Sequence, residues 1–480
     1  MYATLQTYWP HILFALGLLF GIPAAIHAAM TKDDVRAAIG WVGVILLSPV
    51  LGAIIYAIAG INRIRRDTVG KTRSDRQVES KARSEPMHAL PPIPPRSRFD
   101  AMKTLGDRVS PFHLLPGNTI EFLHGGDETY PAMIKEIDAA RRYVVMSTYI
   151  FDNDEAGREV ADALGRAVAR GVEVRVLIDA IGARYSRPSI RQRLRDANVP
   201  NRLFLGNIIG FRLPYANLRN HRKIMVIDGR VGFSGGMNIR QGFVTSAQNP
   251  EPHRVTHFRL TGPVVAQIFA VFADDWFFIH RERLEGPVWQ TEEASAQGSS
   301  IARVICSGPD DLLDATHAMV MGAAAVARER LLIASPYFLP DLQLVGALAS
   351  AARRGVEVDI IIPSSNNLRL VDYAMTAQLD QVIAPGCRVW RAAGPFDHSK
   401  LMTVDGAWSL VGSSNMDPRS LRLNFEFDIE IYDPAFAAQI ERHLRARIAS
   451  GQQETLATLK GRSFYRRLRN RIVWLASPYL

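Results

Sequence analysis

Two short stretches of this 480-residue chain place the same reactive side chains in the same order. The first reads His221-Arg222-Lys223-Ile224-Met225-Val226-Ile227-Asp228 and continues to Gly235-Gly236-Met237-Asn238. The second reads His398-Ser399-Lys400-Leu401-Met402-Thr403-Val404-Asp405 and continues to Gly412-Ser413-Ser414-Asn415. Each is an H-x-K-x4-D pattern with an asparagine seventeen residues after the histidine. Lysine ammonium and asparagine amide groups are donors suited to the non-bridging oxygens of a phosphodiester. A pair of histidines divides the remaining work: one attacks phosphorus, and the other protonates the leaving alkoxide. Two lysines already supply countercharge, so the expected site uses no metal and no other cofactor. Zinc held by the two histidines is a weaker alternative, because no further Cys or His recurs at ligand spacing. One His-x-Lys alone would read as an exposed strand face. The duplication in register argues for a site.

Positioning such groups requires strands. Residues two apart on a strand share a face, so each histidine and its lysine point the same way. The Asp228-Gly229 and Asp405-Gly406 steps are hairpin signals. With Gly229-Arg230 as a two-residue turn, His221 lies opposite Asn238 and Lys223 opposite Gly236; the second copy then sets His398 opposite Asn415 and Lys400 opposite Ser413. On that register both aspartates sit at the turn, in a supporting role.

The hairpins close two similar halves. Arg141–Met146 and Ser147-Thr148-Tyr149 are matched by Arg328–Ile333 and Ser335-Pro336-Tyr337. Each is followed by a helical stretch, then by Arg170-Gly171-Val172-Glu173-Val174 or Arg354-Gly355-Val356-Glu357-Val358. Glycine after arginine marks a helix end, and the Val/Ile/Leu runs suit strands covered on both faces. Two α/β units from one duplicated repeat follow.

Ahead of them, residues 9–30 and 39–61 contain no Lys, Arg, Asp or Glu, and each is long enough to cross a bilayer. The missing basic residues at 1–8 argue against a signal peptide. Arg63, Arg65, Arg66, Lys71, Arg73 and Arg76 then place the exit of the second span in the cytoplasm. The net charge of +10 is localised: residues 61–110 carry +6, residues 441–480 carry +7, and the remainder is slightly acidic. That distribution suits an anionic membrane face better than a nucleic acid. The two cysteines, Cys306 and Cys387, read as buried thiols.

The duplicated motif resembles that of the phospholipase D superfamily, and more specifically the chain resembles bacterial cardiolipin synthases of the phospholipase D type. The resemblance extends through Gly125-Gly126, Asp179-Ala180-Ile181-Gly182, Asn220-His221-Arg222-Lys223-Ile224 and Ser307-Gly308-Pro309-Asp310. It continues in Tyr337-Phe338-Leu339-Pro340-Asp341, Asn415-Met416-Asp417-Pro418-Arg419-Ser420, Asn424-Phe425-Glu426 and Ser477-Pro478-Tyr479-Leu480. It implies an α/β fold: two α/β/α sandwich domains about a pseudo-twofold axis, preceded by a two-helix transmembrane hairpin, with both motifs in one cleft. The expected boundaries are a hairpin at 1–62, a basic, proline-rich linker at 63–108, a first phospholipase D-like domain at 109–300, and a second at 301–480 that includes a basic C-terminal helix.

The resemblance also implies transfer of a phosphatidyl group between two phosphatidylglycerol molecules through a phosphohistidine, with release of glycerol. His221, Lys223, Asp228, His398, Lys400 and Asp405 form the expected catalytic set, Asn238 and Asn415 bind phosphate, and Glu426 orients a histidine. His221 is the expected nucleophile and His398 the acid, then the base. Expected partners are phosphatidylglycerol and other anionic phospholipids, with no nucleic acid, in a multi-pass protein of the bacterial inner membrane whose catalytic domains face the cytoplasm. Oligomeric state is not legible. One departure stands out: where the family commonly shows Trp-Arg-Asp-Thr-His, this chain has His253-Arg254-Val255-Thr256-His257. The orienting acid of the first half is missing or displaced, with Glu251 as the substitute considered, and the identity of the nucleophile stays open on that account. His253 and His257 read as ordinary strand or loop residues. Water as acceptor (a phospholipase D), a nuclease on the same scaffold, and a non-catalytic membrane scaffold are the rival readings. Finally, Phe464, Tyr465, Leu468, Ile472 and Leu475 recur at helical spacing among arginines. They suit either a surface-lying amphipathic helix or one packed on the second domain.

Overall fold

Apolar runs of Val, Ile and Leu build the centre of the molecule as strands buried on both faces; all six residues of Tyr143–Thr148, for example, are buried. The computed structural model describes residues 2–32, 34–60, 99–205, 218–247, 249–290, 297–310 and 312–477. The expected tether from 63 to 98 lies outside the described residues, as do residues 478–480 of the last motif.

The strands of the first half are β1 (Leu115–His124), β2 (Tyr143–Thr148), β3 (Glu173–Asp179), β4 (Asn201–Phe204), β5 (Arg219–Asn220), β6 (Ile224–Ile227), β7 (Val231–Gly235) and β8 (Thr256–Thr261). Those of the second are β9 (Ser300–Ser307), β10 (Arg330–Ala334), β11 (Glu357–Pro363), β12 (Arg388–Ala392), β13 (Leu401–Val404), β14 (Trp408–Gly412), β15 (Asn424–Tyr432) and β16 (Gln452–Glu454). They join into one sheet of order β16-β12-β11-β10-β13-β14-β15-β9-β1-β8-β7-β6-β2-β3-β4. Read outward from the β9–β1 junction, the two arms have the same order, strand for strand, with β16 as an addition at one edge. The pseudo-twofold axis therefore passes between β1 and β9, which pair antiparallel. Helices such as Glu155–Ala169 and Leu342–Arg353 cover the sheet and close a separate apolar core in each half. Both of these helices end before a glycine at positive φ, Gly171 at 86° and Gly355 at 90°, as the Arg-Gly steps required.

Two details differ from the sequence reading. The turns centre on Asp228-Gly229 and Asp405-Gly406, all four at positive φ, and one further residue completes each loop. Ile224 consequently pairs with Ser234 and Leu401 with Val411, one residue off the expected register. The second detail concerns the linker. The helix Asp100–Val109 begins inside the 63–108 stretch and packs on the second half, with Phe99 and Met102 in that half's core. Buried Arg303 on β9 ion-pairs with both Asp107 (2.6 Å) and Glu430 (2.5 Å) and so clamps this helix to the sheet.

The N-terminal unit is a separate body. Helix Tyr2–Thr31 is followed by Val35–Leu47 and Pro49–Ile55, with a π-helical turn at Tyr56–Gly60. Among the described residues one segment, His11–Thr31, is long and apolar enough to cross a membrane (mean hydropathy 2.1). The second expected span is broken at Ser48-Pro49, because proline brings no N–H to the helix ladder. Gly21 allows Pro49 to pack close: a Cβ there would lie 2.9 Å from the Pro49 Cβ. His27 Nδ1 and Tyr56 Oη hydrogen-bond at 2.7 Å between the two arms.

Candidate active site

The stretches just before β6 and β13 do not pair within their own half. β5 runs parallel to the start of β15, and the His221 N–H donates to the Phe425 carbonyl at 2.9 Å. Symmetrically, Asp397 bridges to Arg254, and the His398 N–H donates to the Arg254 carbonyl at 2.7 Å. Each histidine thus hangs from the backbone of the opposite half. The two rings meet at the junction with centroids 6.4 Å apart, close enough for both to reach one phosphoryl group.

Around each ring the repeat supplies matching groups. Tyr149 stands 5.3 Å from the His221 ring and Tyr337 6.1 Å from the His398 ring. Lys223 Nζ donates to the His221 carbonyl at 2.5 Å, and Lys400 Nζ to the His398 carbonyl at 2.7 Å. Asn238 and Asn415 are buried. The Asn238 amide oxygen accepts from the Ile150 N–H at 3.2 Å, which leaves its NH2 as the available donor. Asn415 Nδ2 donates to Ser420 Oγ at 3.1 Å, so part of its donor capacity braces the loop.

Asp228 and Asp405 are not brought to the histidines. They sit at the far ends of their strands, where Asp228 accepts from the N–H groups of Arg141, Arg142 and Tyr143 at 2.8–3.0 Å. Asp405 does the same for Arg328, Glu329 and Arg330 at 2.7–3.0 Å. Both carboxylates therefore fasten the hairpin to the chain entering the neighbouring strand.

Both rings take a backbone hydrogen bond, His221 at Ser413 and His398 at Gly236, and the halves differ in the carboxylate that His221 also meets. The His221 Nδ1 lies 2.9 Å from Glu426 Oε2. Glu426, fully buried, also accepts from Ser413 Oγ at 2.5 Å and from Asn424 Nδ2 at 3.1 Å. The acid expected to serve the second half thus contacts the histidine of the first. His398 Nδ1 instead meets the Gly236 carbonyl at 2.8 Å; a carbonyl only accepts, so Nδ1 carries the proton and Nε2 the lone pair. Backbone pairing aligns Gly236 with Ser413 and Val255 with Glu426, since Gly236 N–H reaches Thr256 O as Ser413 N–H reaches Phe427 O. Val255 is buried at the place of the missing acid, while Glu251 is exposed. At Gly236 a Cβ would come 2.7 Å from the His398 carbonyl oxygen and 3.2 Å from Val255, so that approach depends on glycine.

Burial first, and then the Lys223 and Lys400 ammonium groups, push the His221 imidazole well below its usual range. Burial, Lys400, Lys223 and His221 do the same to His398. Burial lowers Lys223 to about 7 against the pull of Glu426, and burial and Lys223 hold Lys400 well below its usual value. Burial raises Glu426. Four groups that disfavour positive charge when crowded together form a site that an entering anion would relax.

Spacing singled out both histidines, both lysines and both asparagines, and the structure buries all six. It missed Tyr149 and Tyr337, although their shared offset in Ser-Thr-Tyr and Ser-Pro-Tyr was visible. It also missed buried Arg222, which ion-pairs with Asp275 at 2.6 Å and donates to the Glu426 carbonyl at 3.1 Å, tying the two halves beneath the site. His253 stands 5.6 Å from Phe396 near the site, and His257 is buried with its ring pushed down to about 3 by burial.

A family model described as "Cardiolipin synthase, PLD-like domain" matches residues 133–276 and 322–448, and one described as "Phospholipase_D-nuclease N-terminal" matches residues 19–60. A protein of Pseudomonas fluorescens named Cardiolipin synthase A is 32% identical over 98% of this chain and 99% of its own length. Proteins of the same name from Pseudomonas putida (31% identical, 97% of this chain and 98% of the relative) and Pseudomonas aeruginosa (31%, 99% and 97%) are similar to the same extent. The crystal structure of a phosphatidylserine synthase from Haemophilus influenzae shares the fold, with a TM-score of 0.61 over 80% of this chain and 100% of that one at 18% identity.

Proposed function

The chain belongs to the cardiolipin synthase family of phospholipase D-like phosphatidyltransferases, and from that premise we propose that it transfers a phosphatidyl group between two phosphatidylglycerol molecules through a phosphohistidine on His221. The observation that carries the mechanism is the facing pair of histidines of which only one is held by a carboxylate. With Nδ1–H directed at Glu426, the His221 Nε2 lone pair is free to attack phosphorus, and Glu426 stabilises the ring as it becomes positive. The P–O bond to glycerol breaks, and its oxygen takes the proton from Nε2 of a protonated His398. The anionic substrate favours that protonated state by offsetting the two lysines. The hydroxyl of the second phosphatidylglycerol then gives its proton to His398 Nε2 and attacks phosphorus; the P–N bond breaks, cardiolipin leaves and His221 is restored. Lys223, Lys400 and the Asn238 amide balance the non-bridging oxygens throughout.

Phospholipid substrates place the protein at a membrane. We assign residues 1–62 to a two-span anchor in the bacterial inner membrane, kinked at Pro49, with the catalytic body on the cytoplasmic side by the excess of Lys and Arg after the second span. Detergent-solubilised protein incubated with labelled phosphatidylglycerol tests the activity. Cardiolipin with equimolar glycerol supports the reading; phosphatidic acid alone would sink it in favour of hydrolysis.

A further inference from the structure

The helix Phe464–Trp474 carries an apolar stripe that the body does not cover. Phe464 is 63% exposed, Tyr465 81%, Leu468 45%, Ile472 58% and, just beyond the helix, Leu475 72%. The opposite side of the helix is the one that packs. Asn470 is buried, and Val473 and Trp474 lie against the second-half core. Arg469 stacks its guanidinium 3.6 Å over the Tyr373 ring, and Arg471 pairs with Asp380 at 2.7 Å. The stripe therefore faces outward on a helix whose orientation is fixed by its other face. Arg466 and Arg467 are exposed beside it, and no Asp or Glu occurs between residues 455 and 477.

The exposed apolar surface is not confined to that helix. The helix Arg369–Gln378, against which it packs, is preceded by Leu368 (47% exposed) and holds Leu370 (54% exposed) in its first turn. Asn367, next in the chain, accepts from the Tyr337 hydroxyl at 2.8 Å, and Tyr337 is the tyrosine that flanks His398. Exposed apolar groups thus occur both on the arginine-rich helix and on the helix it packs against, and the latter is tied through Asn367 to the tyrosine beside His398.

We propose that this face, formed by Phe464, Tyr465, Leu468, Ile472 and Leu475 with Leu368 and Leu370, lies on the surface of an anionic phospholipid bilayer and holds the cleft over its lipid substrate. Apolar side chains enter the headgroup–acyl boundary while arginines meet lipid phosphates, an arrangement that a neutral protein partner would leave with uncompensated positive charge. The inference draws on the phospholipid reading only for the identity of the surface; the docking itself stands on the exposed stripe and its charge.

The test uses the full chain reconstituted in vesicles of phosphatidylcholine with or without phosphatidylglycerol. An Ile472→Cys protein takes an environment-sensitive fluorophore at that position, because Cys306 and Cys387 are buried; a Glu155→Cys protein, labelled at an exposed position of the first half, is the reference. Brominated acyl chains should quench the probe at position 472 several-fold more than the reference, and more strongly when phosphatidylglycerol is present. In a second arm, Leu468→Glu/Ile472→Glu should lower turnover of bilayer phosphatidylglycerol by about tenfold while leaving turnover of a short-chain, monomerically dispersed phosphatidylglycerol unchanged. Equal quenching at the two positions with equal bilayer rates would overturn the proposal. So would a probe signal that follows protein concentration rather than lipid, which would assign the face to a second copy of the chain. A parent protein that makes no cardiolipin from either substrate would defeat the functional reading, and the quenching arm would still decide the docking face.

Discussion

The first and second halves of the body share strand order, a His-x-Lys step, a tyrosine beside each ring and an aspartate brace behind each hairpin, yet their histidines are held by different chemistry. Glu426 faces His221 beside a backbone hydrogen bond at Ser413, whereas the pseudosymmetric position facing His398 is Val255, and the matching backbone bond at Gly236 stands without a carboxylate. A carboxylate stabilises positive charge on an imidazole; a carbonyl aligns the ring and adds little charge. Repetition gave two equivalent rings, and Val255 opposite Glu426 makes them inequivalent, which suits the proposed roles of one ring as nucleophile and the other as proton carrier.

The largest effect that could break this comparison comes from deleting each ring in turn. His221→Ala should abolish turnover and trap no covalent lipid after acid quench. His398→Ala should lose about 10²–10⁴-fold with phosphatidylglycerol, but keep a burst of adduct with a phosphatidyl ester of p-nitrophenol, whose leaving group needs no acid. A burst in the His221 variant instead would reverse the roles.

Restoring symmetry is the next probe. Val255→Asp places a carboxylate beside His398 and should raise its pKa. His398 then stays protonated to higher pH, so the alkaline limb of kcat moves up, and a shift of one unit is about a tenfold change in proton occupancy. Glu426→Gln should lower the pKa of His221 and slow formation of the adduct more than its breakdown; rapid-quench kinetics separate the two steps. A Val255→Asp profile that superimposes on the parent would show that the asymmetry carries no chemistry.

The aspartates test the braces behind the two hairpins. Asp228→Ala and Asp405→Ala each strip the acceptor from three backbone N–H groups; those of Asp228 are buried or half-buried and cost about 1–3 kcal/mol for each one left unsatisfied in the interior, whereas two of the three at Asp405 are exposed and water can take over. Thermal unfolding should show the larger loss for Asp228→Ala, with unchanged pH profiles for either enzyme that remains folded. The smallest signal is protonic. Burial lowers Lys223 to about 7, and an anion bound beside it should raise it. Inorganic phosphate binding at pH 8 should therefore take up protons, in calorimetry as a buffer-dependent enthalpy, and phosphate affinity should fall as pH rises above 7.

Much of this was legible before any coordinates. His221, Lys223, His398 and Lys400 declared themselves by repetition, and Val255 by its place in a motif that elsewhere carries an acid. The strand–helix–strand order followed from apolar runs bounded by Gly171 and Gly355. The unread parts depend on tertiary pairing. Local turn rules placed Asp228 at the loop but could not count the extra residue that shifts the register. Glu426 was visible as an acid, while its partner was hidden because the chain before β6 crosses to the other half. The helix Asp100–Val109 was hidden inside a charged stretch because its few apolar residues matter only against Arg303 and the second-half core.

The crossing of β5 onto β15, matched by Asp397 on Arg254, has a historical consequence. A single half lacks the backbone from which its own histidine hangs, so an unfused ancestor needed two copies side by side. In such a homodimer every position is the same on both sides, and an acid could not face one ring while valine faced the other. Covalent fusion of two copies removes this constraint, so valine opposite one ring and an acid opposite the other is an asymmetry open only to a fused chain.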